Sequence, residues 1–321
     1  MKATPLSYNL SSTLLRKRPM DRRTFIALMS SISLSTFTLS RAGASEKKID
    51  KPIPSSGELV PVIGMGTWIT FNVGDSQRLR DNRNEVLKRF FELGGGMVDS
   101  SPMYGSARSV VGEGLHKLGY PGGLFSADKI WTNSTAEGVE QYKQMQQLWG
   151  LNKLDLVQVH NLVNWQSHLE TLRELKEQGL VRYTGITTSH GLRHEQCEHI
   201  LETQPLDFIQ LTYNISHREA EQRLLPLAAE KGVAVIANRP LDGGNLFNRV
   251  QGQRLPEWST EYDCHNWAQL FLKYIVSHPA VTCAIPATSQ VAHMEENMGA
   301  CYGSLPDAAG RKKMSDYIST I

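Results

Sequence analysis

The sequence predicts a single (β/α)8 TIM barrel in residues 45–321, preceded by an amino-terminal segment, residues 1–44. Short apolar runs alternate with amphipathic stretches along residues 45–321, which is the pattern of repeated strand–helix units. The apolar runs are rich in Val, Ile and Leu and lack strict alternation, as expected for parallel strands with two buried faces. Eight such units in about 250 residues match the size of a TIM barrel.

Each predicted strand is a short apolar run, and each is followed by an amphipathic stretch. The eight predicted strands are Val60–Trp68, Gly95–Asp99, Gly123–Lys129, Leu154–His160, Val181–Thr187, Asp207–Thr212, Val233–Asn238 and Val281–Ile285. The predicted helices are Asp81–Leu93, Ser106–Leu118, Ala136–Leu148, Trp165–Gln178, Arg193–Glu202, Arg218–Glu230, Cys264–Ser277, Gln290–Cys301 and Pro306–Ser319. No linker interrupts this order, so the sequence predicts one domain after residue 44.

An open, doubly wound parallel sheet is the alternative α/β architecture. Such a sheet usually carries a glycine-rich phosphate-binding loop after an early strand. The only candidate, Gly112-Glu113-Gly114, lies inside a helical pattern and lacks a third glycine at the required spacing. The barrel is therefore the favoured prediction.

The composition is that of a globular protein, with 40% hydrophobic and 21% charged residues among 321. Seven of the 34 Lys and Arg residues and one of the 32 acids lie in residues 1–44, which leaves 27 bases and 31 acids in the remainder. A mildly acidic body argues against nucleic acid as a partner, because nucleic-acid binding requires a basic surface. The four cysteines are too few and too scattered for a disulfide scaffold.

Residues 1–44 have the organisation of an export signal. A basic stretch ends in Arg22-Arg23, a modest apolar run extends over Phe25–Leu39, and Ala42-Gly43-Ala44 follows as a cleavage pattern. The adjacent arginines resemble a bacterial twin-arginine signal, which implies the twin-arginine export machinery as a partner and a folded, periplasmic product. The apolar run is too short and too rich in hydroxyl groups for a stable membrane span. The alternative is a disordered basic tail with a chance apolar patch.

Four reactive side chains occur at or just after the carboxyl ends of predicted strands, where the active site of a barrel lies. Asp99 ends the second strand, Lys129 the third and His160 the fourth. Tyr104 follows Asp99 by five residues. Each alone has an ordinary structural explanation, such as a buried ion pair or a hydrogen-bonded histidine. Together, on one rim, they favour a catalytic site.

This set of side chains suits the reduction of a carbonyl group. Hydride addition to a carbonyl requires a proton donor for the developing alkoxide, and a free phenol with a pKa of about 10 is a weak acid at neutral pH. A nearby cation stabilises phenolate, so we expect Lys129, itself held by Asp99, to lower the pKa of Tyr104. His160 is expected to orient the carbonyl oxygen or to help relay the proton.

Longer motifs carry a resemblance to one family. They are Gly64-Met65-Gly66-Thr67-Trp68, Val98–Gly105, Lys129, Val157–His160, Gly179–Arg182, Gln210 with Tyr213-Asn214, and Ile285-Pro286 with Glu296-Asn297. In this order and spacing the sequence resembles an aldo-keto reductase over nearly the whole chain after residue 55. The resemblance implies that Tyr104 is the general acid/base and Lys129 its activator. It also implies that Asp99 holds Lys129, that His160 orients the substrate, and that hydride comes from C4 of a nicotinamide.

The resemblance also implies which residues bind the dinucleotide. They are Gly66, Thr67, Thr187, Gln210, Arg239, Leu241, Thr288, Ser289, Glu296 and Asn297. Two positions depart from the family, since Thr188 replaces an Asn that grips the carboxamide and Asn238 replaces an aromatic that stacks on the nicotinamide. Arg239 is expected to compensate by contacting the pyrophosphate.

The cations that often bind the 2′-phosphate in NADPH-dependent members are missing after the eighth predicted strand. No Lys or Arg occurs from Ile285 through Gly310. Thr288, Ser289 and the amino terminus of the following helix can still bind phosphate. The resemblance favours NADP(H), and NAD(H) stays an alternative.

Aromatic residues in the rim loops predict an apolar substrate pocket. The candidates are Trp68, Trp131 and Trp165, with Phe71 nearby. No metal site is expected, because His194 and His199 are five residues apart and do not share one helix face.

The sequence therefore predicts an exported oxidoreductase that interconverts a small carbonyl compound and an alcohol with a nicotinamide dinucleotide. One alternative is a dinucleotide-binding sensor or partner subunit with little turnover, which the departures at Thr188 and Asn238 favour. A second is an unrelated barrel hydrolase or lyase, which would require a metal or carboxylate-pair signature.

Overall fold

Parallel strands arranged in a ring form the centre of the fold. A computed structural model describes residues 47–321, so the predicted signal peptide and its boundary after residue 44 lie outside the described residues. The strands are β1 (Asp50–Pro52), β2 (Leu59–Pro61), β3 (Met65–Gly66), β4 (Met97–Asp99), β5 (Phe125–Ile130), β6 (Leu154–Val159), β7 (Val181–Thr187), β8 (Phe208–Thr212), β9 (Ala234–Asn238) and β10 (Val281–Ala284).

The eight strands β3 to β10 pair in sequence order, each parallel to its neighbour. A parallel bridge between Ile63 and Ala284 joins the two ends of the sheet. There the Gly64 amide donates to the Ala284 carbonyl at 2.8 Å, and the Ala284 amide donates to the Val62 carbonyl at 2.9 Å. The predicted (β/α)8 TIM barrel is confirmed.

Helices follow the barrel strands and cover the outside of the ring. They are α1 (Gln77–Glu92), α2 (Ala107–Lys117), α3 (Thr135–Trp149), α4 (Trp165–Glu177), α5 (His194–Thr203), α6 (Leu224–Lys231), α7 (Asn245–Arg249), α8 (Trp267–Val276), α9 (Val291–Gly299) and α10 (Ala308–Ser319). Side-chain caps set several starts: Ser134 accepts the Glu137 amide at α3, and Asn266 accepts the Gln269 amide at α8.

Two predicted elements differ from the structure. The run Val60–Trp68 is not one strand, because its first residues form β2, which pairs with β1 as an antiparallel hairpin. Only Met65 and Gly66 then enter the barrel as β3. The predicted helix 218–230 starts later, at Leu224, because Pro226 has no amide hydrogen and is tolerated only in the first turn of a helix.

The inside of the barrel is filled by one cluster of buried side chains. Its members are Ile53, Val60, Met97, Phe125, Ala127, Leu156, Tyr183, Phe208, Ala234, Ile236, Cys283 and Ile285. Ile53 and Val60 come from the hairpin, whereas Phe125 and Phe208 are the first residues of their strands, so the hairpin closes the amino-terminal end of the barrel. The opposite end, whose loops we call the rim, is left for the functional site.

The outer core lies between the strands and the helices and contains most of the remaining buried apolar side chains. None of the helices within residues 47–321 is both long and apolar enough to span a membrane. All four cysteines are buried free thiols.

Candidate active site

A buried ion pair lies at the centre of the rim. Asp99 ends β4, and Lys129 lies near the end of β5 with its side chain completely buried. The Lys129 ammonium donates to Asp99 Oδ2 at 2.6 Å and to the Ser100 carbonyl at 2.7 Å. Gln210 of β8 donates its side-chain amide to Asp99 Oδ1 at 3.0 Å. Both oxygens of the carboxylate are therefore bonded, which fixes the ammonium in one position.

Tyr104 and His160 lie above this pair. The Lys129 ammonium is 5.3 Å from the centre of the Tyr104 ring. The rings of Tyr104 and His160 meet edge to face, with centres 5.8 Å apart and planes at 86°. The structure thus brings together the four side chains Asp99, Tyr104, Lys129 and His160, which the sequence places on three different strand–helix units.

Local backbone structure presents Tyr104 toward the rim. Pro102–Tyr104 form a single 3₁₀ turn, and the Ser101 hydroxyl accepts the Met103 amide at its start. Gly105 ends the turn at a φ of 59°, where a side chain would be strained and would also meet the Asn72 amide group. The conformation of the Tyr104 loop is therefore determined at both ends.

The electrostatic environment sets the charge of each group. Burial alone would lower the pKa of Lys129, but Asp99 and the Tyr104 phenol raise it above its usual range, so the ammonium stays protonated. Burial lowers the pKa of His160 to about 2, and the charge of Lys129 acts in the same direction. The imidazole is consequently neutral throughout the physiological range.

Lys129 acts on the pKa of Tyr104 in the expected direction, but the net shift of that pKa is upward. Burial raises the pKa of the phenol, and Lys129 opposes this effect without overcoming it. The physical reason is that burial of the phenolate raises the pKa by more than the charge and hydrogen bond of Lys129 lower it. Tyr104 therefore stays protonated at neutral pH, which is the form that a proton donor requires.

Several of the predicted dinucleotide-binding residues make contacts with other residues of the rim. The Thr67 hydroxyl donates to the Asp99 carbonyl at 2.9 Å, and the Thr187 hydroxyl accepts the Asn161 amide at 3.2 Å. Gly66 lies so close to β10 that a Cβ atom there would be 2.8 Å from the Ile285 carbonyl oxygen. These residues shape the floor of the rim through contacts within the protein.

The loop after β9 carries a half-buried arginine. Arg239 has a φ of 49°, and its guanidinium lies 3.1 Å from Asp242 Oδ1. Asn238 ends β9 and donates to the carbonyl of Thr188, the residue after β7, at 2.8 Å, so its amide bonds across the end of the intervening strand β8. Leu241 lies beside Arg239 and packs against the outer core.

An arginine from another part of the chain reaches the segment after β10. The Arg83 guanidinium of α1 donates to the Ser289 carbonyl at 3.4 Å and to the Thr70 carbonyl at 2.5 Å. Among residues 47–321, Arg83 forms no ion pair with an acidic side chain. Thr288 accepts the Gln290 amide at 3.1 Å, and Asn297 is buried in α9, about two turns beyond Gln290. Glu296, its neighbour on α9, is half-buried.

The predicted aromatic pocket is present in part. Trp68 and Trp131 are 42% and 40% exposed, and the Trp131 ring lies 6.4 Å from that of His160. Trp165 is half-buried at the start of α4 and packs against the outer core. Phe71 is fully buried in that core, so its assignment to the pocket is wrong. Phe71 sits in a loop that folds back under the rim, where an apolar ring gains more by burial.

Charge divides the rim into two halves. The loops that follow β3, β4, β5 and β6 contain one charged residue, Asp75, apart from the neutral His160. Those loops also carry exposed apolar side chains, Trp68, Ile69, Met103 and Trp131. The loops that follow β7, β8 and β9 contain four arginines, Arg193, Arg218, Arg223 and Arg239, and three acids, Glu219, Glu221 and Asp242. One half is therefore largely uncharged, whereas the other carries charges of both signs.

The comparison with known families agrees with this arrangement. The profile of the Aldo/keto reductase family matches residues 62–309. The chain belongs to this family. The reductase is 26% identical to pyridoxine 4-dehydrogenase of Escherichia coli over 238 residues, which cover 67% of this chain and 79% of that protein. It is 25% identical to NADH-specific methylglyoxal reductase of Escherichia coli over 244 residues, 65% of this chain and 72% of that protein.

Solved structures of other family members share the fold of this reductase. An aldo-keto reductase from Bacillus halodurans, in its holo form, superimposes with a TM-score of 0.70 and 21% identity, covering 85% of this chain and 96% of that one. An aldo-keto reductase from Klebsiella pneumoniae in complex with NADPH gives a TM-score of 0.69 and 22% identity, covering 84% and 95%. At these identities the likeness concerns the fold.

Two residues of this reductase's site were not assigned from sequence. The Ser101 hydroxyl lies 2.7 Å from His160 Nδ1 and so sets the ring's orientation. The position of Ser101 in the loop after Asp99 could have indicated this role, because a hydroxyl group at the end of a strand can bond to a neighbouring side chain of the rim. Arg83 carried no such signal, since 206 residues separate it from Ser289.

Proposed function

We propose that this family member reduces an aldehyde or ketone to the alcohol, reversibly, with a nicotinamide dinucleotide as hydride donor and Tyr104 as general acid. The observation that carries the proposal is the placement of the Tyr104 phenol between the Lys129 ammonium and the His160 ring. When bound, the dinucleotide supplies hydride from C4 of the nicotinamide. The protein's own groups then have to supply the proton and the orientation.

The proton path follows from the hydrogen bonds of His160. The Met103 amide already donates to Ser101 Oγ, which leaves the hydroxyl hydrogen free to donate to His160 Nδ1. In the tautomer that this donation requires, the imidazole proton is on Nε2, from which it is donated to the carbonyl oxygen of the substrate. The Tyr104 hydroxyl gives its proton to the same oxygen as negative charge develops. Lys129 stabilises the resulting phenolate, since it stays positively charged.

The residues present fit a dinucleotide lying across the rim. Arg239 can turn from Asp242 to a pyrophosphate, a group that a guanidinium binds through two parallel hydrogen bonds. Arg83 supplies a positive charge beside Ser289, in the segment that lacks a Lys or Arg of its own. We therefore favour NADP(H) over NAD(H), in agreement with the NADPH complex of the Klebsiella pneumoniae relative. The NADH-specific Escherichia coli relative keeps the alternative open to test.

Paired arginine variants separate the two phosphate contacts. Arg83→Ala is expected to weaken NADPH binding by about 10–100-fold and to leave NADH binding within about threefold, because only NADPH carries the 2′-phosphate dianion. Arg239→Ala is expected to weaken both dinucleotides about equally, since both carry the pyrophosphate. Tryptophan fluorescence titration of each variant with each dinucleotide measures the four affinities. Equal losses for NADPH and NADH in Arg83→Ala would show that Arg83 does not contact the 2′-phosphate.

The division of charge around the rim indicates an uncharged, apolar substrate. Trp68 and Trp131 border the half of the rim that holds Tyr104 and His160, and the loops that follow β4, β5 and β6 contain no Lys or Arg to pair with a carboxylate or phosphate. The testing experiment is a steady-state assay of purified mature protein with NADPH and NADH against matched aldehydes with and without a carboxylate. We expect higher kcat/KM for the uncharged member of each pair.

A sensor or partner subunit is the second candidate. It is favoured by the Asn238 side chain, which bonds to Thr188 and Thr212 and so replaces a stacking ring by an internal hydrogen-bond network. Tight dinucleotide binding without turnover of any carbonyl in the panel would support this candidate.

We further propose that residues 1–44 direct the folded protein to the periplasm through the twin-arginine machinery. The support is the order of Arg22-Arg23, the apolar run and Ala42-Gly43-Ala44. Amino-terminal sequencing of protein recovered from the periplasm is expected to start at Ser45. A start upstream of Phe25 would contradict the proposal.

The pH dependence of stability provides a test of the buried His160. Its pKa in the folded protein, about 2, lies below the ordinary value near 6.5, so protons bind the unfolded chain preferentially between these values. His160 therefore contributes stability above pH 6.5 that is lost, by up to about 1.4 kcal/mol per pH unit, as the pH falls.

His160→Gln should flatten this dependence, measured as the free energy of unfolding in urea at pH 7, 6 and 5. His199→Gln, on the exposed face of α5, serves as the control. An unchanged slope in His160→Gln would mean that the imidazole is not held neutral.

A further inference from the structure

A second buried ion pair lies directly behind Lys129. Asp128 is fully buried, and Arg108 of α2 is 4% exposed. The Arg108 guanidinium donates to Asp128 Oδ2 at 2.9 Å. The other carboxylate oxygen, Oδ1, accepts the backbone amide of Lys129 at 2.7 Å. The β4–β5 ladder ends at the pair Asp99–Ala127, and Lys129 pairs only with Gln158 of β6, so this carboxylate adds a second hold on the Lys129 backbone.

The same arginine connects to the aromatic edge of the substrate pocket. Arg108 also donates to the Gln141 backbone carbonyl of α3 at 2.9 Å. The Gln141 side chain then bonds both backbone groups of Trp131: its oxygen accepts the Trp131 amide at 2.8 Å, and its nitrogen donates to the Trp131 carbonyl at 3.0 Å. A continuous set of hydrogen bonds thus runs from Lys129 through Asp128, Arg108 and Gln141 to Trp131.

Stability alone is a weak explanation for these residues. Desolvation of two charges offsets much of their attraction, and buried pairs can often be replaced by apolar side chains without loss of stability. Their shared feature is instead what they hold, namely the backbone of Lys129 near the end of β5 and the backbone of Trp131, the first residue after β5. Arg108, Asp128 and Gln141 themselves are buried.

We propose that Arg108, Asp128 and Gln141 are positioning residues, which keep the ammonium of Lys129 and the indole of Trp131 at a constant separation across the active site. This proposal rests on the proposed function, because the two ends of the network are assigned to two parts of the carbonyl reduction. The Asp128 end serves proton transfer through Lys129. The Gln141 end serves substrate binding through Trp131.

Kinetic constants distinguish the two ends. Gln141→Met is expected to raise KM for an apolar aldehyde by about 10-fold and to change kcat by less than about threefold, because a small displacement of a positioned group is costly. Gln144→Met, at an exposed glutamine on the same helix, is the matched control and should change neither constant. The double variant Arg108→Met/Asp128→Leu leaves no unpaired charge and should lower kcat by about 10-fold, with an altered pH profile of kcat.

Hydrogen–deuterium exchange gives a readout that does not require turnover. Exchange of the amides at 129–134 is expected to rise in Gln141→Met and in the double variant, but not in Gln144→Met. A fall in melting temperature without a change in KM, kcat or this local exchange would overturn the positioning role. Absence of turnover in the unsubstituted protein would instead refute the proposed function, and the exchange data would still decide whether the network orders this segment.

Discussion

Replacing Tyr104 by Phe is expected to lower kcat for carbonyl reduction by about 10²–10⁴-fold, the usual contribution of a positioned proton donor. The substitution removes only the hydroxyl group, so the edge-to-face contact with the His160 ring is kept. Binding of the dinucleotide should change by less than about twofold, because the ring still fills its place. Steady-state kinetics and fluorescence titration of the same preparation measure the two quantities.

Tyr120→Phe is the matched control, since Tyr120 is an exposed phenol in the turn before β5, on the amino-terminal side of the barrel. Its kcat should equal that of the unsubstituted protein. If Tyr104→Phe retained kcat within about threefold, the proton would come from another group and the proposed mechanism would fail. The raised pKa of Tyr104 adds a directional expectation: alcohol oxidation, which starts from phenolate, should accelerate as the pH rises.

Replacing Lys129 by Met is expected to affect both stability and rate. The substitution leaves the Asp99 carboxylate buried without its 2.6 Å partner, and loss of one partner of a buried pair costs about 3–5 kcal/mol of unfolding free energy. It also removes the cation that stabilises phenolate, for which we expect a loss in kcat of about 10²–10³-fold. Urea denaturation and steady-state kinetics measure the two effects.

A second substitution separates these effects. In the double variant Asp99→Asn/Lys129→Met no charge is left unpaired, so most of the lost unfolding free energy should return, and Gln210 can still donate to the side-chain oxygen at position 99. The loss of kcat should persist, because the cation is still missing. Recovery of kcat together with stability would show that Lys129 is a structural residue only.

The sequence determined the architecture and the identity of the catalytic candidates. Strand–helix alternation is a local property, because each apolar run and each amphipathic stretch reflects which faces its own residues bury. Parallel strands in a barrel all end at the same rim, so Asp99, Lys129 and His160 could be assigned to one site without coordinates. The predicted first strand was an exception. Its initial residues form β2, which pairs with β1 outside the barrel, and a single apolar run does not reveal that pairing.

Only the tertiary structure decided how these groups act on one another. Gln210 reaches Asp99 across 111 residues of chain, and Arg83 reaches Ser289 across 206. The direction of the Tyr104 pKa depended on desolvation outweighing Lys129, and Phe71 was buried although its loop belongs to the rim. Hydrogen bonds and desolvation depend on distances of a few ångströms between segments far apart in sequence, and those distances exist only after the ring of strands has closed.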